Sequence, residues 1–136
     1  MVKVKPLKFR VKPHPKRKEY YNVLIFDTQA DMLAHWNSIV SGDTPFQAHV
    51  VEWAAVDLVN GCWKKSDNIG EIIFHEGFLG AGVVAHEMTH AALYSVCKRR
   101  NGGAKFHLTE KDDERLAFAC GEMCRQFWTK YLAKRS

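Results

Sequence analysis

The chain has 136 residues, 46% of them apolar and 26% charged, which is the size and balance of one folded domain and excludes a multidomain enzyme or a disordered chain. Its net charge of +5 is uneven: residues 1–18 carry eight Lys or Arg and no acid, so the rest sums to −3, the whole-chain +5 less eight. A basic segment on a mildly acidic body is not a general nucleic-acid platform. There is no apolar run long enough to span a bilayer and no leader-like N-terminus, so a soluble, cytoplasmic protein with no membrane partner is expected.

The alternating Val2, Val4, Leu7, Phe9 and Val11, interleaved with Lys3, Lys5, Lys8 and Arg10, fit a lysine-protected edge strand. The same segment, residues 1–18, is also a candidate basic arm for nucleic acid or an acidic partner; residues 19–136 form the single domain. Tyr20 to Asp27 has the β-branched and aromatic content of a buried strand. Thr28 then caps a helix from Gln29 to about Val40, in which Met32, Leu33, Trp36 and Ile39 recur at three- and four-residue spacing. Phe46 to Val56 and Ile69 to His75 read as further strands, with turns at Asn60-Gly61 and Ser66-Asp67-Asn68. A first long helix is expected from Val83 to Arg100, stopped by Asn101-Gly102-Gly103. A second runs from Thr109 to about Ala133 with an acidic first turn. Strands first and helices last, without a repeat, give an α+β class: an N-terminal mixed sheet with one helix, then two long C-terminal helices. Cys62, Cys97, Cys120 and Cys124 are sparse and lack paired-knuckle spacing, so they are expected as reduced, packed thiols.

Chemistry concentrates at His86-Glu87-Met88-Thr89-His90, an HExxH pattern. Residues four apart on a helix lie about 40° apart around its axis, so His86 and His90 can aim imidazole nitrogens at one Zn²⁺. Glu87 sits beside the ion and is placed to act as general base. The apolar flanks Val83, Val84, Ala91, Ala92 and Leu93 suggest that both histidines face a packed interior. Catalytic zinc takes a third protein ligand, and the downstream candidates are His107, Asp112, Asp113 and Glu114. Leu93-Tyr94-Ser95-Val96 excludes the metzincin extension. Glu114 follows His90 by the length needed to finish one helix and return along a second, the gluzincin arrangement. It is preferred over His107 because a helix holds its geometry.

At Glu114-Arg115-Leu116-Ala117-Phe118-Ala119 the chain resembles the ImmA/IrrE-like small metallopeptidases, whose second motif runs Glu-x-x-Ala; together with HExxH the resemblance covers about residues 69–128. It implies a small zincin-like domain in which the two long helices form a metal cleft, with Glu114 as third ligand and a phage or prophage setting. A weaker resemblance, to SprT-like proteases through Gly102-Gly103-Ala104-Lys105-Phe106-His107, would put His107 in that role. The expected activity is hydrolysis of a protein or peptide substrate by a Glu87-activated water. Asp113 is a possible orienting carboxylate for a ligating His. His75, at the end of the strand expected to border the cleft, is a possible substrate contact, and the edge of Ile69–His75 is the expected docking line for an extended peptide. The rival expectation is a metal-binding module that acts through partners without proteolysis.

Overall fold

The computed structural model describes residues 5–39, 48–52, 56–59, 62–65, 67–101 and 110–135. Among the described residues, six strands and three helices follow one another as β1 (Leu7–Val11), β2 (Tyr20–Phe26), α1 (Gln29–Ile39), β3 (Ala48–Glu52), β4 (Val56–Val59), β5 (Cys62–Lys65), β6 (Asn68–His75), α2 (Ala81–Asn101) and α3 (Glu110–Arg135). The class is α+β.

Four strands form a mixed sheet in the order β1-β2-β6-β3, and β4 and β5 pair separately. β1 runs antiparallel to β2, β2 parallel to β6, and β3 antiparallel to β6. Within β1 the alternation has its expected effect: Phe9 and Val11 are buried, Lys8 and Arg10 exposed. β2 is buried from Tyr21 to Phe26 because both faces are covered. Tyr21, Val23 and Ile25 join Ile72, Phe74, Met88, Met123 and Phe127 on the face under α2 and α3. Leu24, Phe26 and Ile73 pack with Met32 of α1 on the other. α1 begins as its sequence dictates, since the Asp31 amide donates to Thr28 Oγ1 at 3.1 Å.

Two expectations change here. Cys62–Lys65, which showed no strand signal, pairs antiparallel with Val56–Val59, Val59 opposite Cys62. The strand expected to present a free edge, Ile69–His75, lies in the interior, hydrogen-bonded by β2 on one side and β3 on the other. A peptide cannot add to it. β3 is the outer strand on that side of the described sheet. Its pairing with β6 joins segments well apart in sequence, which strand periodicity alone does not encode.

The basic N-terminal segment is joined to the sheet through β1 and to α3 through Arg10 and Lys12. Gln126 of α3 is buried and treats Lys12 as a strand neighbour would: Lys12 N donates to Gln126 Oε1 at 2.7 Å, and Gln126 Nε2 donates to Lys12 O at 3.0 Å. Lys130 Nζ donates to the Arg10 carbonyl at 2.6 Å. Residues 1–4 lie outside the described residues. No helix among the described residues is long and apolar enough to cross a membrane.

Candidate metal centre

α2 is anchored so that one stripe is fixed against the sheet. Val84, Met88, Ala91 and Ala92 are fully buried, and the Tyr21 hydroxyl donates to the Ala91 carbonyl at 3.0 Å from the sheet below. At 3.6 residues per turn this turns His86 and His90 to the opposite side of the helix. Both are exposed, the His86 side chain by 68%. The expectation that they face a packed interior is therefore corrected: the apolar residues around the motif build the sheet-facing stripe, two positions out of phase with the histidines.

Exposure does not separate the pair. His86 Nε2 and His90 Nε2 stand 3.2 Å apart. Without a metal one nitrogen must donate its proton to the other. The same separation suits two nitrogens sharing a tetrahedral ion at roughly 2.0–2.1 Å from each, so the donor chemistry and spacing fit Zn²⁺. Glu87 differs sharply from its neighbours: it is only 7% exposed, with Oε1 4.0 Å from His86 Nε2. Burial pushes its carboxyl above the ordinary value, and the two imidazoles partly oppose that shift.

His86 and Glu87 border a cavity of about 380 Å³ whose other walls are Ala48 of β3, Phe78, Gly82 and Val83. Sequence reasoning missed Ala48 and Phe78. The alternation of Phe46, Ala48 and Val50 announced a strand but not that it would lie outside β6 and beside α2. Phe78 sits in the short 3-10 turn Glu76–Phe78 and is stacked on His75, ring centroids 6.4 Å apart. His75 itself is buried, so it backs a wall residue of the cavity rather than offering a surface to substrate. The turn is tied to the end of α3, where the Tyr131 hydroxyl donates to Glu76 Oε2 at 3.0 Å and Arg135 pairs with the same carboxylate.

The other predicted site residues are placed elsewhere. Glu114 is exposed and lines a different cavity, with Ser95 and Val96 of α2. Those two residues lie about 140° and 240° round the helix axis from His90. Glu114 is thus not brought to the histidine pair, and among the described residues no third His, Cys, Asp or Glu joins it. Asp113 is exposed, while its neighbour Asp112 is the buried acid of that turn. His107 lies outside the described residues. Cys120 and Cys124 are half-buried on α3. The Cys120 Sγ is 3.4 Å from Thr89 Oγ1 inside the motif, and burial followed by Cys120 raises the Cys124 thiol to about 11. The Cys124 thiol therefore stays protonated near neutrality and is a poor metal ligand there. No protein-family model, curated protein or solved structure matches the chain.

Proposed function

We propose that the protein is a zinc-dependent metallopeptidase in which His86 and His90 hold the ion and Glu87 is the general base. The observation that carries this reading is the convergence of two imidazole nitrogens at 3.2 Å with a buried carboxylate of raised basicity one residue away, on the rim of a cavity. Structural zinc has no use for such a base. When bound, Zn²⁺ would polarise a peptide carbonyl and acidify water. Glu87 would take the proton of the attacking water on its carboxylate and deliver it to the departing amide nitrogen. Ala48 places the outer strand β3 beside these groups, so an extended peptide would add along β3 and lay its scissile bond over the rim.

The third ligand is to come from His107 or from Glu114, and metal content decides between them. Elemental analysis of purified protein is expected to give near-stoichiometric zinc, lost in His86→Ala and His90→Ala. Because Glu114 lines another cavity, Glu114→Ala is expected to keep the metal and His107→Ala to lose it. The reverse result would mean that α3 slides along α2 when zinc binds. Wild-type protein that takes up no zinc after reconstitution would overturn the proposal.

A further inference from the structure

The cavity that holds Glu114 has a chemistry of its own. It encloses about 400 Å³ between the turn after β1 and the facing helices α2 and α3, a volume suited to a small molecule. It lies on the other side of α2 from the histidine pair.

Its base is apolar, formed by Pro13, Val96 and Ala119, all buried. Its polar groups are mostly cationic or donors. Arg17 and Arg115 both line it. Arg115 Nη1 is 3.8 Å from Asp112 Oδ1, beyond hydrogen-bond length, so that contact does not consume its N–H groups. The imidazole of His14 accepts the Lys16 amide at Nδ1, 3.2 Å away. In the neutral ring this assigns the proton to Nε2, which becomes a donor. Phe118, half exposed, is tilted against the His14 ring at 5.3 Å and supplies a bare aromatic face. Glu114 is the single acid in the wall.

We infer that this cavity is a second binding site, for a small molecule with an oxyanion head, carboxylate or phosphate, on a flat apolar body. The head would take the two guanidinium groups, whose forked donors match such oxygens. The body would lie on Phe118 over the apolar base. The inference does not depend on zinc or on proteolysis.

Titration calorimetry with phenyl phosphate, benzoate and benzyl alcohol, alongside NMR of the Phe118 and His14 ring protons, tests it. Saturable binding of phenyl phosphate or benzoate is expected, with ring shifts, and the tighter of the two identifies the head. Arg17→Ala and Arg115→Ala should each weaken that binding about tenfold or more. Both side chains are solvent-exposed, so the variants should keep the wild-type melting temperature. Glu114→Gln should tighten binding several-fold, because it removes the like charge in the cavity wall. Benzyl alcohol binding as tightly as the anions, affinity unchanged in the Arg17→Ala, Arg115→Ala double variant, or no saturable binding of any probe would overturn the inference.

Discussion

The two sides of α2 are built on opposite terms. The stripe toward the sheet, from Val84 through Met88 and Ala91 to Val96, is buried and apolar and holds the helix in place. The outer stripe, Val83, His86, Glu87 and His90, carries the polar motif side chains, with both histidines exposed. Glu87 stands at the border, at 7% exposure: close enough to the interior to have its basicity raised, and close enough to the rim to reach His86. The contrast teaches that HExxH here is an exposed histidine pair mounted on a rigid support. Stability and chemistry should therefore separate cleanly along one helix.

The sharpest way to break that separation is at its border. Glu87→Gln is expected to keep zinc and fold while cutting peptide hydrolysis by about 10²- to 10⁴-fold. Turnover near the wild-type rate, measured with a quenched fluorescent peptide library, would remove Glu87 from the chemistry. Next in size, Met88→Ala on the inner stripe should cost about 2–5 kcal/mol of stability, read as a lower denaturant midpoint, while the folded fraction retains its zinc. Loss of metal without loss of stability would show that the two stripes are not independent.

The smallest effect concerns His75, behind the wall residue Phe78. Burial lowers its pKa from the ordinary value, so the folded protein binds this proton less well than the unfolded chain does. Its contribution is therefore neutral above about pH 6.5 and becomes a penalty as pH falls below that value. Melting temperatures recorded from pH 8 to 5 should fall less steeply for His75→Asn than for the wild type. Parallel curves would place the acid sensitivity elsewhere.

What the sequence disclosed was what is local. The Thr28 cap, the inward Phe9 and Val11 of β1, the three helices and the HExxH spacing all follow from neighbours within a few residues. What it concealed depends on partners distant along the chain. Local composition marks Ile69–His75 as a strand but cannot say that β3 would take its outer side. The apolar flanks of the motif announce a packed helix but not the phase of His86 and His90 on it. For Glu114, chain length allows a return to the histidine pair, while the packing of α3 on α2 sets it in a cavity with Ser95 and Val96.

The bond between Gln126 and Lys12 spans 114 positions of the chain. A contact of that range closes a very long loop and is paid for only once the intervening elements are in place. On the ribosome, β1 would emerge well before α3 and wait for it before its final clasp could form. The outer edge of the sheet is thus secured last, and during synthesis its lysines and Arg10 would be what keeps the nascent edge from pairing with other chains.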